Sequence, residues 1–203
     1  MAHKPRREMI AETRAKLLGA AREAFGTVGY AEASMDDFTA AAGLTRGALY
    51  HHFGDKKGLL QAVIAEIDTE MSARVHEMAK NAPTRWESFV EECTSYIEMA
   101  LEPEIQRIMF RDGPAVLGDP SQWPNANTCT ASMADSLKLL QEEGVVKPGL
   151  DPWLVARLIN GASSQASQAI ANSDDPEATS RKVVAVFRSL LEGLLVKRQS
   201  ASA

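Results

Sequence analysis

Residues 34–60 read SMDDFTAAAGLTRGALYHHFGDKKGLL, and this stretch decides the fold. Ser34 can cap a first helix at its N-terminus, and Gly43 supplies the left-handed turn that ends this helix at little cost. Thr45 can cap a second helix over residues 46–52, which is barely two turns long. A helix, a glycine turn and a short second helix, in this order, predict a helix-turn-helix, whose second helix enters the major groove of DNA.

The second helix carries side chains that suit duplex DNA better than a protein core. Arg46 stands at its first position, where an arginine can bind guanine O6 and N7 with two hydrogen bonds. Gly47 and Ala48 are small enough for the backbone to approach a base edge. The donors for phosphate oxygens are Thr45, Tyr50, His52 and Lys56. The full set of predicted DNA contacts is Thr45, Arg46, Gly47, Ala48, Tyr50, His51, His52 and Lys56.

These polar residues allow two other interpretations. They could form a solvated helix face with no partner. His51 and His52 could also be metal ligands, but adjacent helical residues point about 100° apart, and no cysteine or carboxylate is suitably spaced to join them. We therefore predict no metal site and no cofactor.

The run from Thr13 to Val63 resembles the N-terminal domain of TetR/AcrR-type transcriptional regulators. The resemblance is carried by TRAKLLGAAREAFGTVGY and SMDDFTAAAGLTRGALYHHFGDKKGLLQAV, with Gly29-Tyr30, Gly43-Leu44, Leu49-Tyr50, His52-Phe53, Lys56 and Leu59 in the expected order. Two details depart from the commonest form of the family. Gly58 replaces an acidic residue, and Asp36 with Asp37 makes the first helix of the motif acidic, which argues against many DNA contacts from that helix.

The resemblance implies an all-α protein of about nine helices in two domains. Residues 1–55 would form a three-helix, helix-turn-helix DNA-binding domain, and residues 56–203 an effector-binding and dimerisation domain. The predicted function is that of a homodimeric, ligand-responsive repressor that binds a palindromic operator through residues 45–52 and is released by a small effector. The alternative is a helical enzyme or a protein-interaction module without DNA binding.

Apolar residues at helical spacing predict the other elements. The first helix covers residues 8–28, and a long amphipathic helix over residues 56–80 leaves the DNA-binding domain as a mechanical link. The remaining predicted helices begin after Thr84 and run to about residue 101, follow Pro103 and end at Gly113-Pro114, and cover residues 126–143, 152–171 and 176–197.

The family resemblance implies an effector cavity in the second domain. Aromatic, methionine and polar residues of the middle helices are candidates for its lining, although such residues at helical spacing more often form cores. The candidates are Phe89, Tyr96, Met99, Arg107, Phe110, Trp123, Met133 and Asn160. The flexible methionines favour an apolar effector. Arg107 could instead form an ion pair with Asp112 or Glu104.

The last two helices carry material for an interface. They present a ridge of small residues and a broad apolar face, for which an intramolecular core is the alternative. The predicted dimer contacts are Ala162, Ala166, Ala169, Phe187, Leu190, Leu191 and Leu194. One short reading helix makes few base contacts, whereas two of them about 34–36 Å apart read a palindrome.

Charge is divided unevenly along the 203 residues, whose formal net charge is −5. Residues 1–60 contain nine Lys/Arg and seven Asp/Glu, a net +2, and residues 61–203 contain thirteen and twenty, a net −7. The basic residues cluster at Lys4, Arg6 and Arg7 and at Lys56 and Lys57. An acidic protein can therefore still present a local phosphate-binding face.

Other classes of protein find little support. No apolar run approaches the roughly 18 residues of a membrane helix, and the N-terminus lacks a signal region, so a cytoplasmic protein is expected. Cys93 and Cys129 are too few for a disulfide scaffold and should be buried and inert. The sequence contains no phosphate-binding glycine loop, nucleophile elbow or zinc-protease helix, so no enzyme is predicted.

Overall fold

The computed structural model describes residues 5–123 and 125–197, and most of them lie in helices. The α-helices are α1 (Arg6–Thr27), α2 (Met35–Ala41), α3 (Arg46–Phe53), α4 (Lys56–Ala79), α5 (Arg85–Glu98), α6 (Pro103–Ile105), α7 (Gly113–Leu117), α8 (Ala126–Glu142), α9 (Pro152–Ala171) and α10 (Pro176–Glu192). A π-helix covers Gln106–Asp112, and 3-10 turns cover Met99–Leu101 and Pro120–Gln122. Within the described residues no strand forms, which confirms the predicted all-α class. Lys4 of the predicted basic cluster lies outside them.

The described chain packs as two compact units. Unit 1 consists of residues 5–69 and Glu102–Asp119, and unit 2 consists of Glu70–Leu101 and residues 120–123 and 125–197. The sequence-based division after residue 55, into a DNA-binding and an effector domain, concerns function and stays a prediction.

Unit 1 is organised around aromatic side chains of its first helices, and α1, α2 and α3 pack against one another. The rings of Phe25 and Phe38 meet edge to face with their centroids 5.3 Å apart, and both are buried. Gly29, at φ 87°, follows the end of α1, and the ring of Tyr30 folds back to 5.6 Å from that of Phe25. This core holds α3 by its inner edge, where Leu49 is completely buried.

The segment Glu102–Asp119 is fastened to α1 by polar contacts. Arg22 donates from Nε and Nη2 to the two carboxylate oxygens of Glu104, at 2.9 Å each. Just beyond α1, the Tyr30 N–H donates to Asp112 Oδ2 at 2.7 Å. These contacts explain why residues so distant in sequence belong to unit 1.

Two predicted helix ends are wrong. Gly113-Pro114 does not stop the helix after Pro103, because the chain passes through the π-helix into α7, where Pro114 lies in the first turn and its missing N–H costs nothing. The last helix ends at Glu192 rather than near residue 197. Beyond it, Leu195 pairs with Val146 in an isolated antiparallel bridge, which takes the chain off the helical path.

Unit 2 is a bundle in which α9 packs against α5, α8 and α10. Its core is aliphatic and aromatic, and its buried side chains include Phe89, Val90, Ile97, Leu137, Leu140, Ile159, Ile170, Phe187 and Leu191. Aspartates cap the last two helices: Asp151 accepts from Trp153 N, and Asp175 accepts from Ala178 N.

Of the two free cysteines, Cys93 is buried, as predicted, and Cys129 is half-buried. Burial raises the pKa of the Cys93 thiol to about 12, so it holds its proton and is a poor nucleophile at neutral pH. Among the helices of the described residues, none has the length and apolar character needed to cross a bilayer.

Candidate nucleic-acid interface

Local hydrogen bonds build the helix-turn-helix as its sequence predicts. Ser34 Oγ accepts from Asp36 N at 3.2 Å at the start of α2, and Thr45 Oγ1 accepts from Ala48 N at 3.3 Å at the start of α3. Between the two helices, Gly43 adopts φ 64°, which a residue with a Cβ adopts only at a cost. Both helices are therefore fixed at their N-termini by their own side chains.

The two sides of α3 differ sharply. Leu49 is 0% exposed, whereas the next residue, Tyr50, is 51% exposed. Arg46, Gly47 and His51 are also exposed. An aromatic ring and a guanidinium held in solvent on a capped helix suit a partner with polar edges and phosphate groups.

Arg46 is not a solitary cation at the start of α3. Its Nε and Nη2 donate to the two carboxylate oxygens of Asp36, in the first turn of α2. Asp36 lies ten residues earlier, across the turn, and its hydrogen bonds and charge raise the pKa of Arg46. The sequence indicated that α2 is acidic but gave no sign of this pair, because only the angle between the two helices brings the side chains together.

Lys56 does not extend straight into solvent. Its Nζ lies 4.5 Å from the centroid of the Tyr30 ring and 3.3 Å from the carbonyl oxygen of Ala31, to which it donates. An ammonium on an aromatic face keeps donors free on its outer side. Lys56 therefore remains available to a phosphate, from a more defined position than the sequence suggested.

The two histidines of α3 lie side by side, with ring centroids 5.4 Å apart. His51 is exposed and His52 half-buried. Residues 5–123 and 125–197 contain no group of three or more His, Cys, Asp or Glu side chains that could hold a metal ion. The pair is better suited to hydrogen bonding than to metal binding.

The predicted effector residues fall into both units. Tyr96, Trp123, Met133 and Asn160 are half-buried in unit 2, while Phe89 and Met99 are fully buried there. Phe110 is buried in unit 1.

Arg107 likewise belongs to unit 1 and pairs with neither of the carboxylates considered from the sequence. Its Nη1 donates to the carbonyl oxygen of Thr27 and, at 3.4 Å, to that of Gly26. These carbonyls close α1, where the negative end of the helix dipole attracts a cation. Arg107 thus caps α1, a role its sequence neighbours did not reveal.

The α8–α9 region of unit 2 contains polar groups suited to a ligand. Asn160 Nδ2 donates to Thr130 Oγ1 at 3.0 Å, and Met133 lies one helical turn from Thr130 on the same side of α8. The indole Nε1 of Trp123, just before α8, is buried and has no acceptor in the structure. A buried donor without a partner is costly, so a ligand acceptor there would be favoured.

A separate open cleft of about 480 Å³ lies in unit 2, where the end of α4, the start of α5 and α10 meet. Its lining includes Met78, Trp86, Val90, Arg188 and Glu192. The sequence had not indicated this cleft, because the three elements are far apart along the chain.

The predicted dimer residues separate by burial. Ala166, Phe187 and Leu191 are buried within the single chain, whereas Ala169 and Leu190 are exposed and Ala162 and Leu194 are half-buried. Larger exposed apolar side chains lie on the same two helices. The four most exposed are Leu154 (55% exposed), Leu158 (74%), Val186 (62%) and Leu190 (63%), and these four are called here the apolar face.

Known protein families match both the N-terminal and the C-terminal part of the chain. A family model described as bacterial regulatory proteins of the tetR family matches residues 17–63. A second, described as the tetracyclin repressor-like C-terminal domain, matches residues 86–194, more than half of the chain. A crystal structure of a TetR-family transcriptional regulator from Pectobacterium atrosepticum is 49% identical, with a TM-score of 0.86 over 97% of this chain and 100% of that chain.

Curated relatives are more distant. The A-factor receptor protein of Streptomyces griseus is 29% identical over 187 residues, 90% of this chain and 64% of the receptor, so the match spans just under two thirds of that relative's length. The transcriptional regulator UidR of Escherichia coli is 27% identical over 156 residues, 72% of this chain and 76% of UidR. From the two family models and the Pectobacterium structure together, the chain belongs to the TetR family, whose members are transcriptional regulators and not enzymes.

Proposed function

We propose that this chain is a homodimeric, ligand-responsive repressor that acts in the cytoplasm and binds a palindromic operator through α3. Regulators of the TetR family bind DNA, dimerise and bind small-molecule effectors. The observation that carries the proposal is the outer side of α3. There Arg46, Gly47, Tyr50 and His51 are exposed on a helix whose N-cap and buried Leu49 hold it rigid.

The chemistry of that side fits duplex DNA in two ways. A guanidinium at the first turn of α3 can reach base edges, and the absence of a side chain at Gly47 lets the backbone come close. The hydroxyl groups of Thr45 and Tyr50 and the ammonium group of Lys56 offer donors to phosphate oxygens, which set the register.

The apolar face supplies the reason for a dimer. Leu154 and Leu158 are one turn apart on α9, and Val186 and Leu190 are one turn apart on α10, so each helix presents two large side chains to solvent on one side. A second copy that covers these four residues would bury apolar surface that otherwise stays wet. The predicted contact set should therefore include Leu154, Leu158 and Val186 beside Ala169 and Leu190.

We place the effector in unit 2, at the α8–α9 region. The unpaired indole N–H of Trp123 and the amide of Asn160 would orient a polar end of the effector, and Met133 would contact its apolar part. The A-factor receptor of S. griseus, which is similar over most of this chain, is named as a receptor, in keeping with a ligand-binding role.

Release from DNA requires the effector to prefer one conformation of the dimer. Unit 2 is joined to unit 1 by the chain within α4 and at both ends of Glu102–Asp119, so a change in unit 2 can act on α1 and α3 through these connections. A hundredfold loss of operator affinity requires about 2.8 kcal/mol of differential effector affinity. By linkage, operator DNA must weaken effector binding by the same factor.

The test is selection of bound sequences from a pool of random duplexes, followed by gel shifts with the enriched duplex at two salt concentrations. We expect enrichment of one sequence and binding that weakens steeply with salt. A helical enzyme or protein-interaction module would enrich nothing and leave no shifted band at either salt concentration.

A further inference from the structure

We propose that Asp36 is a positioning residue for DNA recognition, which holds the Arg46 guanidinium in the orientation that reads one base pair and keeps it off the phosphates. This inference rests on the proposed function and adds a specificity-determining residue from α2. The predicted DNA contacts all came from residues 45–56 and assigned α2 no such role.

The first support is the geometry of the pair. Asp36 binds the side edge of the guanidinium, formed by Nε and Nη2. The end edge, formed by one Nη1 hydrogen and the second Nη2 hydrogen, stays unused by Asp36. Two parallel donors on that edge are what guanine O6 and N7 require, so Arg46 can bind both Asp36 and a base at the same time.

The second support is that the pair lies in solvent. The Arg46 and Asp36 side chains are 56% and 63% exposed, and exposed ion pairs contribute little to stability. A pair that does little for folding still removes freedom from a long side chain. Arg46 would therefore meet DNA already oriented and lose less rotamer entropy on binding than a free arginine.

The third support is the local charge. Asp36 sits in the first turn of α2, where the helix dipole stabilises a carboxylate, and Ser34 Oγ accepts from its backbone N–H at 3.2 Å. The carboxylate is thus fixed beside α3 and offsets the charge of Arg46. A guanidinium whose charge is offset by a carboxylate gains little binding free energy from a non-specific phosphate, but it keeps its directional donors for a base edge.

The experiment compares Asp36→Asn with Asp37→Asn. Asp37 is the matched control because it lies in the same turn and its substitution makes the same charge change, while the carboxylate bound to Arg46 stays in place. Each protein is titrated with the selected duplex, with that duplex changed at each base pair in turn, and with a random duplex, over a range of salt concentrations. Thermal unfolding of each variant reports on the fold.

We expect Asp36→Asn to strengthen binding to the random duplex and to steepen the slope of log K against log salt by about 0.9, as one more cation meets a phosphate. Discrimination at one base pair should fall at least about threefold, as part of a bidentate readout is lost. Asp37→Asn should show only the small gain in affinity for DNA that comes from the change in net charge. With Arg46→Ala as the background, Asp36→Asn should no longer alter discrimination.

Two outcomes would overturn the inference. If the Asp36→Asn and Asp37→Asn proteins discriminate equally well between duplexes that differ at one base pair, Asp36 does not position Arg46 for base reading. If Asp36→Asn sharpens discrimination, then Asp36 withholds Arg46 from DNA. In both cases the unchanged protein still binds the selected duplex, whereas failure of the proposed function would leave it with no enriched duplex at all.

Discussion

The pair α2–α3 and the pair α9–α10 both leave conspicuous side chains in solvent, but of opposite chemistry. On α3 the exposed residues are a paired arginine, a tyrosine and a histidine, on a helix of eight residues fixed by a cap. On α9 and α10 the most exposed apolar side chains are leucines and a valine, on helices of 20 and 17 residues. Polar groups on a short, rigid helix suit a charged polymer, and apolar side chains on long helices suit another helix pair.

The largest expected effect comes from the apolar face. Leu158→Glu combined with Leu190→Glu should turn the dimer into a monomer, because four carboxylates would be buried across its two-fold axis. Operator affinity should fall about 10²- to 10⁴-fold as the joint action of two reading helices is lost. Sedimentation velocity and gel shifts measure the two effects. Leu139→Glu, at an exposed leucine of α8, is the control and should change neither.

Adjacent residues of α3 separate stability from binding. Leu49→Ala should lower the free energy of unfolding by about 2–5 kcal/mol, because Leu49 is completely buried and its loss leaves a cavity. Tyr50→Ala should change the free energy of unfolding by less than about 0.5 kcal/mol but weaken DNA binding. Chemical denaturation of the two variants measures both changes in the free energy of unfolding. If Tyr50→Ala were the more destabilising substitution, α3 would have to face the other way.

Arg46→Ala tests base reading on the same helix. Affinity for the selected duplex should fall roughly 5- to 150-fold, and preference at one base pair should be lost. Titration with duplexes changed at single base pairs measures both. An unchanged order of preference would remove Arg46 from sequence readout.

Lys56→Ala should have the smallest effect. It should weaken binding to the selected and random duplexes by a similar factor, because a phosphate contact carries no sequence information. The slope of log K against log salt should become shallower by about one. The contact between Lys56 and the Tyr30 ring predicts a small loss of stability as well, which thermal unfolding would detect. A change in base preference would contradict the phosphate assignment.

The elements governed by local chemistry could be predicted from the sequence. The caps at Ser34 and Thr45, the turn at Gly43 and the burial of Leu49 each follow from a residue and its near neighbours, and all are found. Helix α3 belongs to this group, since its motif lies within one short stretch.

What depends on distant parts of the chain could not be predicted. The attachment of Arg107 to the end of α1 and the bridge that follows α10 both join segments with no shared sequence pattern. The sequence also could not predict which apolar residues of α10 are buried, because Phe187 is buried and Leu190 exposed within one broad apolar stripe. Such a stripe predicts an apolar face but cannot divide it between the core and a partner.

One measurement tests the central claim most directly: the mass, by sedimentation equilibrium, of the complex with the selected duplex and with a duplex that carries only half of the enriched site. Two chains on a palindrome whose halves lie about one DNA turn apart, with much weaker binding to the half site, are expected. A single chain that binds both duplexes equally well would contradict the claim that two copies of α3 read DNA together.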